Sequence, residues 1–261
     1  MSEEALENNK TQESGGIHAV GEEKTEEEKS DEKLNESLDS DNKNSELIKE
    51  EESVSNVGNI FLRLDFEITM RNLEFISPFV HSKCVQIGGL SIGIMKVLGM
   101  ALDEEIVYGA YCANIGLAAI PQSIYHSPTL IDEPNREIIK LHVNSSYNMI
   151  IRVSGKAAEI ALNHHELSMG KGYLGKKDNE VAKESFVVGI VERFLGSLSI
   201  HRSMYKPQSS FLDAYDNAME SYKGTTHIFN AEEQDKIGEY LYTFYLSKNE
   251  QLNNAFDYGR V

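Results

Sequence analysis

The sequence predicts an all-α fold: a bundle of about seven or eight helices, preceded by a disordered acidic tail and a short N-terminal element. Three observations carry that prediction. Apolar residues recur at helical spacing from Val80 onward, no alternating run of strand length follows residue 70, and helix-starting and helix-stopping residues flank the periodic segments.

The tail comes first. Residues 1–52 hold 18 of the 42 Asp and Glu against six Lys and no Arg, so about −12 of the net −17 lies there. Aromatic residues are absent before Phe61. A segment this polar cannot bury enough surface to offset the entropy of ordering it. Residues 1–55 are therefore expected to be disordered, with Glu26, Glu27 and Glu28 as solvated charge.

A short element over 56–78 follows. Alternation from Phe61 to Ile68 suits a strand, yet the same residues fit a helix, and periodicity leaves both open. The helical domain is expected over 79–250, with a C-terminal tail at 251–261. Pro78 can open its first helix. Val80, Cys84, Ile87, Leu90 and Ile94 continue that helix at its own period, and Gly99 stops it. A second helix runs from Asp103 to Ile115, with Glu104 and Glu105 favouring its N-terminus. Short helical pieces cover Ile120 to Tyr125. Pro134 opens a helix toward Ile151, and another spans Lys156 to His165. After a glycine-rich turn, helices are expected at about 180–199, 208–221 and 231–246.

Composition excludes several function classes. No basic region followed by an apolar stretch opens the chain, and the apolar run Ile87 to Leu98 is broken by glycine and too short to span a bilayer. A cytoplasmic protein without membrane insertion is expected. Cys84 and Cys112 form no spacing motif and suit reduced core thiols. The acidic balance disfavours nucleic-acid polymers, which need a basic face. A small anion in a locally basic pocket remains compatible.

The chemistry concentrates at His164-His165-Glu166, followed by Gly170-Lys171-Gly172-Tyr173. Adjacent histidines at a helix end point about 100° apart and can address metal ions. A Gly-x-Gly turn lets backbone approach a ligand without a Cβ in the way. This segment resembles the HHExxxGxGYP motif of the HD-GYP family, with Leu174 in place of the proline. Upstream, Asn114-Ile115-Gly116-Leu117-Ala118-Ala119-Ile120-Pro121 resembles that family's HDIGKIGIP segment, and Ile138 to His142 its helix with a further metal-binding histidine. His81-Ser-Lys-Cys84-Val85 resembles the HxxRV start of its first helix. Glu192-Arg193-Phe194, Arg202 to Lys206 and Gly224 to Asn230 resemble its later segments in order.

The resemblance implies a metal-dependent phosphodiesterase fold with a damaged centre. The family's HD pair supplies a histidine ligand and an aspartate that bridges two ions. Here those positions are Ala113 and Asn114. Alanine has no donor atom, and a neutral amide cannot serve as an anionic bridge. Leu117 stands where the family has a lysine, Glu192 where it has an aspartate ligand, and Ser77 where some members have a further acidic ligand. His81, His142, His164, His165 and Glu192 remain as candidate ligands. They suit one ion at most, Fe, Mn or Zn, around His142, His164 and His165, or else a metal-free pocket. His126, His201 and His227 match no ligand position, and His18 lies in the tail.

Gly170, Lys171, Gly172, Tyr173, Arg202, Tyr205 and Lys206 are the implied contacts to a cyclic dinucleotide, chiefly cyclic di-GMP. Arginine can fork onto phosphate, and tyrosine offers a face to a base. The expected function is a catalytically impaired binding or signalling protein. The alternative is a cyclic di-GMP phosphodiesterase with an altered metal site. With no room for a full sensory domain, a protein partner is expected to bring any signal, with the acidic tail as one contact.

Overall fold

The computed structural model describes residues 59–125, 131–198 and 210–258, and side-chain burial as far as Ser247 and Lys248. The tail at 1–55, His18, His126, His201, Arg202, Tyr205 and Lys206 lie outside the described residues.

Among the described residues every regular element is helical. Residues 59–76 form α1, which resolves the ambiguity at Phe61 to Ile68 in favour of helix. Leu62, Met70 and Leu73 are buried on one face. Phe61, Leu64 and Ile68 remain exposed. The apparent alternation arose because α1 carries apolar residues on both its core face and its outer face.

The next helices begin where local chemistry places them. α2 (Pro78–Val97) has proline in its first turn, and Gly99 follows its end at φ 69°. The Asp103 carboxylate accepts from the Ile106 N–H at 2.8 Å to start α3 (Glu104–Cys112). A 3₁₀ turn over Ile115–Ala119 and the single turn α4 (Gln122–Tyr125) come next. The predicted Pro134-to-Ile151 helix is two helices, α5 (Glu133–Lys140) and α6 (His142–Ile150). The last turn of α5 tightens, with the Leu141 N–H donating to the Ile138 carbonyl. α7 (Gly155–Asn163) is capped by Ser154.

α8 (Lys183–Leu198), α9 (Phe211–Met219) and α10 (Ala231–Tyr258) complete the bundle. Ser210 and Asp213 form a reciprocal capping box on α9. α10 runs past the predicted 246, because neither Gly nor Pro occurs between that position and Gly259.

α2 is the central element, packed against α3, α8 and α10, while α7 bridges α3, α6 and α8. The glycines inside α2 do not break it. A Cβ on Gly88 would fall 2.4 Å from the Tyr111 ring, and one on Gly93 would fall 1.8 Å from the Tyr240 hydroxyl. Each glycine seats an aromatic ring from a neighbouring helix. Cys84 and Cys112 are buried free thiols, as expected of core residues, and burial pushes Cys84 up to about 12. Among the described residues, no helix is long and apolar enough to cross a membrane.

Candidate metal centre

Four of the five candidate ligands converge. His142 opens α6, His164 caps α7, His165 follows it, and Glu192 projects from α8. One donor atom from each lies within 4.8 Å of all the others. His81 lies outside this group although it sits on α2, the helix that also borders the site.

The two buried histidines are aimed by the same device. The His142 Nδ1–H donates to the Ile139 carbonyl at 2.7 Å, and the His164 Nδ1–H to the Ala161 carbonyl at 2.7 Å. A carbonyl only accepts, so each Nδ1 carries the proton and each neutral ring presents a bare Nε2. Those two Nε2 atoms face each other at 3.3 Å. Glu192 Oε2 lies 3.0 Å from His164 Nε2 and 3.3 Å from His165 Nε2. Electron pairs gathered this closely require a cation or a shared proton between them. Imidazoles fixed by backbone carbonyls are also the usual outer support of a metal-binding histidine. The donor set therefore fits a divalent ion.

Electrostatics keep the ligands in their metal-binding forms. Burial, followed by His165 and His164, pushes His142 well below 6.5, and burial pushes His165 to about 4. For Glu192, burial acts upward, but the Lys83 ammonium outweighs it and holds the carboxyl well below its usual range. At neutral pH His142 and His165 are thus neutral imidazoles and Glu192 is a carboxylate.

The replaced positions are equally informative. Ala113 and Leu117 are buried core residues. Asn114 is buried at the same site, and its Nδ2 donates to Glu192 Oε2 at 3.0 Å. Its Oδ1 has no hydrogen-bond partner among the described residues, leaving a hard amide oxygen beside the carboxylate.

Two glycines permit this convergence. A Cβ on Gly116 would fall 2.1 Å from the His142 carbonyl oxygen, and one on Gly189 would fall 2.1 Å from the His164 carbonyl oxygen. Both obstacles are backbone, which cannot rotate away. Gly189→Ala is therefore expected to destabilise the fold by about 1–3 kcal/mol through overpacking. The roughly 1 kcal/mol that alanine gains in helix propensity would not offset this. Thermal unfolding of the variant checks it, and a raised melting temperature would refute the close approach.

The glycine turn is latched beside the centre. Glu166 is buried, and its carboxylate accepts from the Leu174 N–H at 2.7 Å and the Lys176 N–H at 2.8 Å. Gly172 is required there, since a Cβ would fall 2.3 Å from Glu166 Cα. Gly170 holds φ 67°. Asp178 secures the other side, accepting from the Ser168 hydroxyl, the Met169 N–H and the His227 Nε2. His227 is thus a partnered surface residue. Tyr173 stacks on His165 with ring centroids 4.4 Å apart, and the Lys140 ammonium stands 5.7 Å from the Tyr173 ring. Lys171 is exposed.

Sequence reasoning assigned no role to Lys83, Lys140 or the Glu166 carboxylate. Only the HHE spacing pointed to Glu166. Nothing in residue type or period distinguished the two lysines from ordinary surface charge.

A family model described as HD domain matches residues 81–228, a span that includes all four clustered donors. A search of curated proteins finds no match. The match covers more than half of the 261 residues, and its interior holds a histidine–carboxylate set suited to a divalent ion. The chain belongs to the HD domain family, a superfamily of metal-dependent hydrolases.

Proposed function

We propose that this chain is a degenerate HD-GYP-type protein: a one-metal centre that recognises a cyclic dinucleotide such as cyclic di-GMP and signals to a protein partner without efficient hydrolysis. The observation that carries this reading is the pairing of a convergent acceptor set with Asn114, whose amide donates to Glu192 where the HD-GYP pattern has a bridging aspartate.

A bound Fe, Mn or Zn ion would supply Lewis acidity to a phosphate oxygen at His142, His164, His165 and Glu192. A two-ion centre needs an anionic bridge, and the described cluster contains a single carboxylate. The groups suited to holding ligand are better preserved. The Tyr173 ring stands over His165 for stacking with a base, and Lys171 and Lys140 place positive charge beside the turn. Arg202, Tyr205 and Lys206 belong to the proposal on their sequence pattern alone.

Calorimetric titration of cyclic di-GMP into the Mn-loaded full chain, with chromatography of the nucleotide afterwards, tests this reading. The expected result is saturable heat with the dinucleotide recovered intact. No heat at high micromolar ligand would refute recognition. The convergent four-donor histidine–carboxylate cluster favours a second reading, residual phosphodiesterase activity. That reading requires a linear dinucleotide that disappears in a protein carrying His164→Ala and His165→Ala.

A further inference from the structure

Glu192 has two oxygens in two different environments. Oε2 faces the Nε2 atoms of His164 and His165 and the amide of Asn114. Oε1 is held by the Lys83 ammonium at 2.5 Å. Lys83 reaches this point from α2, a helix that contributes none of the clustered donors. Its side chain is 24% exposed while that of Glu192 is 8% exposed, so a partly exposed lysine is paired with a nearly buried carboxylate. Glu192 is also the single carboxylate of the cluster. One lysine therefore balances the whole formal negative charge of the donor set.

We propose that Lys83 is a resident cation of this centre: it occupies the Oε1 side of Glu192, where a second divalent ion would need its anionic partner, and it competes with any ion bound at the histidines. The proposal rests on the one-metal reading above and deepens it, because it supplies a cause for single occupancy besides the loss of the bridging aspartate. The physical basis is direct repulsion. An ammonium and a dication sharing one carboxylate repel strongly enough, even at an effective dielectric constant of about 20, to weaken metal binding by more than ~10-fold. A lysine is suited to this role because its compact charge sits on a flexible stem that can withdraw to water when an ion enters. An asparagine at 114 keeps the balance, since an added negative charge there would leave the ammonium unable to neutralise the pair.

Equilibrium dialysis of MnCl2 and ZnCl2 against the metal-stripped full chain tests this, using wild type, Lys83→Met, Lys83→Gln and Lys83→Arg. Circular dichroism establishes that each variant is folded, and the glutamine variant serves if the methionine variant is not. Lys83→Met or Lys83→Gln is expected to bind at least ~10-fold more tightly than wild type, while Lys83→Arg keeps the wild-type affinity. A purely structural lysine would give unchanged or weaker binding on removal, and that result overturns the proposal. Binding that ignores Lys83 but is lost in His164→Ala overturns the proposal alone and leaves the one-metal reading standing. Failure of all the folded chains to bind either ion overturns both.

Discussion

Replacing His164 with alanine is expected to weaken divalent-metal binding more than about 100-fold. Residues that merely support a metal ligand change affinity by about 10–100-fold when removed, so loss of a ligand itself should exceed that range. His164 is the natural choice because its Nε2 lies 3.3 Å from His142 Nε2 and 3.0 Å from Glu192 Oε2, the middle of the convergent set. The measurement is thermal unfolding with and without Mn. An ion that binds only the folded chain stabilises it by about 2.7 kcal/mol at a hundredfold excess over its dissociation constant. Wild type should show that gain and His164→Ala should not. Without metal the two proteins should differ less, since the alanine leaves a cavity but also relieves the opposed electron pairs. An equal metal-induced shift in both proteins would place the ion elsewhere.

The helical class and most of the donor set were legible because each rests on local pattern. Pro78 and Gly99 mark the ends of α2, and Asp103 caps α3, where the sequence placed them. His142, His164, His165 and Glu192 stood out through the order and spacing of segments that resemble a known family. Elements decided by tertiary contact were not legible. α1 looked ambiguous because Leu62 and Met70 are buried while Phe61 and Ile68 are exposed, a distinction set by neighbouring helices. The break between α5 and α6 depends on a tightened turn at Leu141 and a ring-to-carbonyl bond from His142, neither visible as composition. Lys83 escaped notice for a similar reason. Its partner Glu192 lies 109 positions away, and no local rule pairs a lysine on one helix with a carboxylate on another. His81 shows the reverse case: it fits a motif position, yet the four-donor group forms without it.

Asn114→Asp is expected to destabilise the metal-free protein by about 2–4 kcal/mol and to tighten divalent binding. Asn114 is 1% exposed, and its amide donates to Glu192 Oε2 at 3.0 Å. The aspartate would exchange that donor for a second carboxylate in a buried site. Two carboxylates so close cannot both ionise cheaply, and each pKa unit of forced elevation costs 1.36 kcal/mol. Lys83 already serves Glu192 Oε1 and cannot neutralise both groups. Adding Mn should reverse the deficit, because a dication between the carboxylates converts the repulsion into a shared ligand pair. Urea denaturation with and without Mn measures both effects on one protein. The variant should be the less stable chain without the ion, and it should gain more than wild type when the ion is added. Equal stability without metal would mean that residue 114 does not face Glu192. If the double response is found, Asn114 is the residue that lets this centre remain folded when no ion is bound, and its amide together with the Lys83 ammonium replaces the stabilisation that a second metal ion would otherwise have to supply.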